Sequence, residues 1–328
     1  YAQGEWWVMS TDTPNLGRSV DSTPGARGLF GGGYSYGNPG GTRPTSDVID
    51  YINISSTGNA IVFGNLTESR GPSGAVASST RGVWMAGDKT PSPYRSNTID
   101  YVTIASEGNA IEFGDTIVSH GHGNGNVSNS TRGLCAGGRQ APTNYNDIEY
   151  ITIASTGNGV DFGDLTSARY GISGVSSPTR GVFSGGDLGP AFTSTMDFVT
   201  IATLGNAQEF GDRNLNTSGI GGASNPIRGI FAGSNSSPFA QIDYIIIASG
   251  GDTMNFGDLV TLQYSRFRAG SASPTRAVFA GGYASPNGPG RNDMDYVMIM
   301  SEGKAVDFGD LSAARGMAGG CSNAHGGL

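Results

Sequence analysis

The 328 residues carry a formal net charge of −8, only two lysines (Lys89 and Lys304), 55 glycines and 36% hydrophobic residues. A nucleic-acid surface needs clustered basic residues to displace counterions, and no stretch nears the ~20 apolar residues of a membrane-spanning helix; neither nucleic-acid binding nor membrane insertion is expected. So few apolar residues would suit a disordered chain if the sequence had no period, but it has one.

A T-R-G-like element recurs at Arg27, Arg81, Arg132, Arg180, Arg228 and Arg276, spaced 54, 51, 48, 48 and 48 residues apart. The unit is read as four short strands. Strand A is small and rich in Gly, Ser and Ala, as in Gly171–Ser176. Strand B is the R-G-V-F-x-G-G run, and strand C is I-D-Y-V-T-I-A-S, with β-branched alternation. A tight turn follows, carrying Gly58-Asn59, Gly108-Asn109, Gly157-Asn158 and Gly205-Asn206, and strand D ends in F-G-D or F-G-N. No window longer than a turn has helical periodicity.

Four strands per unit of this length predict an all-β chain, a β-propeller of four-stranded antiparallel blades. Strand A would line the narrow centre, where only small side chains fit. The Tyr of strand C and the Phe of strand D would pack blade against blade. Six units are complete between Arg27 and Asp310. Residues Gly316–Ser322 offer a further strand A, His325–Leu328 the start of a strand B, and Glu5–Ser10 with Asn15-Leu16 a strand C and its sequel. Seven units would need about 336 residues, so the expectation is one domain over 1–328 with seven blades, the last shared by 1–18 and 315–328. Six blades with terminal extensions are the alternative. Starting at Tyr1 rather than Met, the sequence is expected to be a processed product or a fragment.

The Gly pairs after strand B and the aromatic in strand C resemble kelch-type repeats, without the Trp that kelch repeats carry after the Gly pair. The wording I-D-Y-V-T-I-A-S-x-G-N-A-x-x-F-G-D-L, with S-S-x-T-R-G-V-F-x-G-G, is more similar to tandem repeats in virion-associated proteins of tailed phages, marine cyanophages in particular. That resemblance implies a virion or extracellular location and a structural or host-binding role.

Acids recur in every unit, whereas catalysis needs one unique constellation; no enzyme and no cofactor is expected. The T-R-G arginines Arg27, Arg81, Arg132, Arg180, Arg228 and Arg276 are expected to pair with the I-D-Y acids Asp50, Asp100, Glu149, Asp197, Asp243 and Asp295 on the adjacent strand. The F-G-D aspartates are expected to bond nearby backbone amides. His120 and His122 could share one face of a strand, but no third ligand is evident, and no metal site is expected. Cys135 and Cys321 stand at core positions and are expected to be buried free thiols.

The A–B and C–D turns barely vary between units, whereas the B–C loops (Tyr34–Ser46, Asp88–Asn97, Arg139–Asn146, Asp187–Thr195, Ser234–Ala240, Tyr283–Asn292) and the D–A loops do. Both variable sets leave a four-stranded blade on the same face. Each B–C loop carries an aromatic, giving Tyr34, Tyr36, Tyr94, Tyr145, Phe192, Phe239 and Tyr283 as candidate binding residues. The expected partner is a host-surface glycan or protein, or another virion protein. The same face would serve a secreted bacterial lectin-like propeller.

Overall fold

The structure, a computed structural model, describes residues 27–34, 44–72, 74–90, 95–123, 125–262, 265–285 and 288–328. Among them there is no helix. Six four-stranded antiparallel sheets follow the repeat, each ordered A-B-C-D from the centre outward. The arrangement is that of a β-propeller and is consistent with kelch-like repeats.

There are six blades, not seven. The last strand of the chain, Gly319–Ser322, is strand A of the blade whose B, C and D strands are Arg27–Gly31, Val48–Asn53 and Ile61–Asn65. Its ladder runs Gly28↔Ser322 to Gly31↔Gly319. Blade 6 then meets blade 1 through the same contacts that join every other pair of neighbours. The ring is complete, with no gap for a seventh blade. Residues 325–328, expected as the start of a strand B, form turns instead, because Arg27–Gly31 already occupies that edge. The expected contribution of residues 1–18 lies outside the described residues.

The blades are joined by three repeated devices. The first is apolar. Tyr or Phe of strand C meets the strand D Phe edge-to-face within each blade, with centroids 5.8 to 6.1 Å apart. Each such Phe also packs into the next blade, as Phe63 does in a buried cluster with Val102, Ile104 and Ala110. A bulge makes this possible. The C–D register slips between the Ile and the acid of every I-D-Y element, leaving the Phe without a partner across the ladder and turning it inward. Burying one such ring contributes about 1.5–3 kcal/mol.

The second device is a latch between the C–D turn and the neighbouring F-G-D element. Gly108 N donates to Phe63 O at 3.0 Å, and the Asn109 Oδ1 accepts from Asn65 N at 3.1 Å. Blades 6 and 1 close alike, with Gly58 N to Phe308 O at 2.7 Å and Asp310 N to Asn59 Oδ1 at 3.0 Å. The F-G-D glycine is required by this approach, since a Cβ on Gly64 would stand 2.1 Å from Gly108 O. The amide-bonding role expected of the F-G-D carboxylates thus falls to the neighbour's side chain, Asn59, Asn109, Asn158 and Asn206 at four junctions and Asp252 between blades 4 and 5.

The third device uses the T-R-G arginines. Arg180 Nη1 donates to Ile247 O and Ala248 O of the next blade, each at 3.0 Å. Its guanidinium also lies over the Phe198 ring of its own blade, 4.4 Å from the centroid. The others repeat this around the ring, from Arg27 to Ile104 O through to Arg276 on Ile54 O and Ser55 O.

At the centre the six A strands surround a cavity of about 130 Å³ lined by Gly, Ala and Ser. Neighbouring A strands approach so closely that a Cβ on Gly270 would stand 1.9 Å from Gly222 O. On the A–B turn side, residues 323–328 cross the opening. Ideal Cβ positions on Gly326 and Gly327 fall 2.2 Å from Ser176 O and 1.7 Å from Ser128 O, and His325 Nε2 lies 2.8 Å from Ala77 O. Enclosure there pushes the His325 imidazole down to about 4, against the pull of the Ala77 carbonyl. An unfolded His325 takes up a proton near its ordinary 6.5, while the folded one refuses it until about 4. Stability is therefore full above pH 6.5 and falls as the pH drops from 6.5 to 4, by at most about 3 kcal/mol. His325→Gln should flatten that slope in melting temperatures measured across the interval; an unchanged slope would refute it.

Candidate binding face

The B–C and D–A loops do share one face, and backbone bridges join them in pairs. Tyr34 pairs with Gly316, Gly71 with Asp88, Tyr170 with Asp187, and Arg266 with Tyr283. These extend the A–B pairing outward and hold the loops on the rigid ring.

The I-D-Y acids are buried, but their partners are not the T-R-G arginines. Arg70 holds Asp100 at 2.9 Å, Arg169 holds Asp197 at 2.9 Å, Arg213 holds Asp243 at 2.8 Å, Arg268 holds Asp295 at 2.6 Å and Arg315 holds Asp50 at 2.8 Å. The expected pairing fails on register. Arg27 sits opposite Asn53 and Asp50 opposite Phe30. Three residues along a strand is an odd step, so the two side chains project from opposite faces of the sheet. The true partners come from the D–A loop. A sequence signal for three of them is the recurrence of [S/T]-x-x-R in Thr67–Arg70, Thr166–Arg169 and Ser312–Arg315. The Ser or Thr of that motif bonds the same acid: Asp197 accepts from Thr166 N at 3.1 Å and Thr166 Oγ1 at 2.7 Å.

Blade 3 replaces both members. His120 stands for the arginine and the longer Glu149 for the aspartate, and they meet at 2.9 Å, both buried. Glu149 also accepts from Ile117 N and Val118 N at 2.8 and 2.9 Å. His122 turns to Asp88, with Nδ1 to Oδ2 at 3.3 Å, so the two histidines serve different acids. Among the described residues no three His, Cys, Asp or Glu side chains gather as a metal-ligand set. Cys135 and Cys321 are buried and not joined in a disulfide, and burial pushes the Cys321 thiol up to about 12.

The candidate aromatics divide. Of the candidate binding residues, Tyr34 and Tyr283 are 7% and 4% exposed, folded back against Met317 beside Phe239 and Phe267. Each ring lies on a D–A loop glycine; a Cβ on Gly71 would stand 2.3 Å from the Tyr34 ring and one on Gly316 2.7 Å from that of Tyr283. Tyr145, Phe192 and Phe239 are half-buried. Tyr36 and Tyr94 lie outside the described residues.

What the loop sequences did not single out is a polar cluster where strand A of blades 2 to 4 begins. Asp88 forms an ion pair with Arg95 Nη1 at 2.7 Å and accepts from His122 N at 2.8 Å. Arg139 Nη1 donates to the Tyr170 hydroxyl at 3.1 Å, which donates to Asp187 Oδ2 at 2.5 Å. Burial, and then the Asp187 bond, raise the Tyr170 phenol. Burial also lowers the His122 imidazole, with Arg95, Arg139 and Arg266 adding to it against Asp88.

The ring, its closure and its two unlike faces define a six-bladed propeller with one uniform structural face and one diversified loop face. No protein-family model matches the chain, and no curated protein matches it.

Proposed function

We propose that the chain is a non-catalytic binding module that engages its partner through the B–C and D–A loop face. The observation that carries this is the division of labour between the repeats' constant and variable parts. The constant elements are consumed in holding the ring: T-R-G on neighbouring carbonyls, G-N-A in the F-G-D latch, the I-D-Y acid in its buried ion pair. The variable loops sit on that rigid frame with half-buried aromatics and guanidinium groups, the combination that suits a glycan or protein surface.

A tailed-phage particle, with a host-surface glycan or protein as the partner, is the setting proposed. It rests on the resemblance of the repeat wording alone. An architectural virion component and a secreted bacterial lectin-like propeller would use the same face.

The test is a glycan array together with sedimentation against intact phage particles. Binding is expected in at least one, and Tyr145→Ala/Phe192→Ala/Phe239→Ala should weaken it tenfold or more while the melting temperature of the ring stays within a few degrees. Full binding by that folded variant would remove the loop face from the proposal.

A further inference from the structure

The geometry points to the centre of the loop face as a site for an acidic saccharide, with Arg139 and Arg266 holding its carboxylate. This deepens the reading of the loop face as a binding surface and rests on it.

The A strands open onto this face through a collar of backbone bonds. Gly171 N donates to Gly123 O, Gly219 N to Gly171 O, Phe267 N to Gly219 O and Met317 N to Phe267 O. The collar needs left-handed backbone, which Gly123, Gly171 and Gly219 adopt without cost at φ of 77°, 65° and 66°. In the next two blades the same position holds Phe267 and Met317 at φ of 59° and 56°. Bulky side chains in that region are strained, and such strain clusters at ligand sites. Here it places the Phe267 ring across the opening. Its atoms come within 3.3 Å of a Cβ on Gly123, in the blade directly opposite, and within 3.0 Å of one on Gly219.

Two guanidinium groups flank this floor. Arg266 lies over the Phe267 ring, 4.3 Å from its centroid, and donates from Nη2 to Ser218 Oγ at 2.9 Å. Arg139 lies over Tyr170 at 5.0 Å and donates to its hydroxyl. Ser218 Oγ is 3.3 Å from a Cβ on Gly171, the residue after Tyr170, so both arginines stand around one strand start. Neither has a carboxylate within 4.0 Å among the described residues, whereas Arg95 beside them is taken by Asp88 and every I-D-Y acid by its own partner. The Nε of each is out of solvent without a protein acceptor. In a chain of net charge −8, the guanidiniums of Arg95, Arg139 and Arg266 set against the carboxylates of Asp88 and Asp187 leave a local excess of positive charge beside aromatic rings. Planar forked donors match a carboxylate in two-point geometry, and aromatic rings beside polar groups suit the C–H face of a sugar.

The test is calorimetric titration of the full chain with a trigalacturonate, the corresponding neutral trigalactoside and inorganic phosphate. Binding of the trigalacturonate alone is expected. Arg139→Gln/Arg266→Gln should weaken it at least tenfold while the ring still melts in one cooperative transition above the titration temperature, and Lys304→Gln, a charge change on the opposite face, leaves it intact. Equal binding of the neutral sugar, competition by phosphate at equal concentration, no binding of the trigalacturonate, or full binding by the double variant would each overturn the inference. A neutral glycan found on the array and lost in the aromatic triple variant would leave the binding-face reading standing while this site falls.

Discussion

Replacing Arg169 with alanine should lower the melting temperature by roughly 6–20 °C, about two to three times the effect of the same change at Arg180. Both arginines recur through the repeat, but they do different work. Arg169 is fully buried against Asp197, which is itself 0% exposed, and also donates from Nε to Gly185 O at 3.0 Å. Removing it leaves a charge in a dry site, which costs about 3–5 kcal/mol. Arg180 is half-buried; losing its two bonds to carbonyls and its contact with Phe198 costs about 1–2 kcal/mol. Thermal denaturation of the two variants decides between them, at roughly 2–4 °C per kcal/mol. Asp197→Asn introduced beside Arg169→Ala should recover part of the loss, because the uncompensated charge goes with it. Equal shifts for Arg169→Ala and Arg180→Ala would contradict this assignment of the ion pairs.

Deleting residues 318–328 should abolish the single cooperative transition. The deletion removes strand A of blade 1, its ladder with Gly28–Gly31 and the wall of Trp84, whose indole Nε1 donates to Gly319 O at 2.9 Å. Trp84 is fully buried, and Gly31 leaves it space that a Cβ, 2.6 Å away, would take. An opened ring exposes an inner strand edge and the apolar clusters of two blade junctions, comparable with the whole 5–15 kcal/mol that holds a domain. Tryptophan fluorescence should shift to the red as Trp84 meets water. Deleting only 323–328 removes the segment over the channel and leaves the ladder, so a cooperative transition within a few degrees of the parent is expected. Similar behaviour of the two deletions would refute closure through Gly319–Ser322.

The repeat, its four strands and the all-β class were legible in the residues themselves. Alternation with a period of two, turn glycines and the T-R-G, I-D-Y and F-G-D elements act over a few residues, and recurrence shows them six times. The crowding that keeps strand A to small side chains was legible for the same reason. The split into a uniform and a variable face also followed from comparing units, because four antiparallel strands send alternate loops to opposite sides.

Three things were decided only by the tertiary structure. Blade number depends on the angle between neighbours, set by how Phe63 and its equivalents fill the space between sheets; chain length misleads because it counts residues 1–26, which precede the first strand of the ring, and the longer B–C loops of the first two units. The partner of each acid depends on which face of the sheet a side chain leaves, which separates Arg27 from Asp50 although their strands are paired. The fate of each loop aromatic depends on what the D–A loop puts beneath it, a glycine under Tyr34 and Tyr283. In each case the deciding distance runs between segments far apart in the chain, where local pattern carries no information.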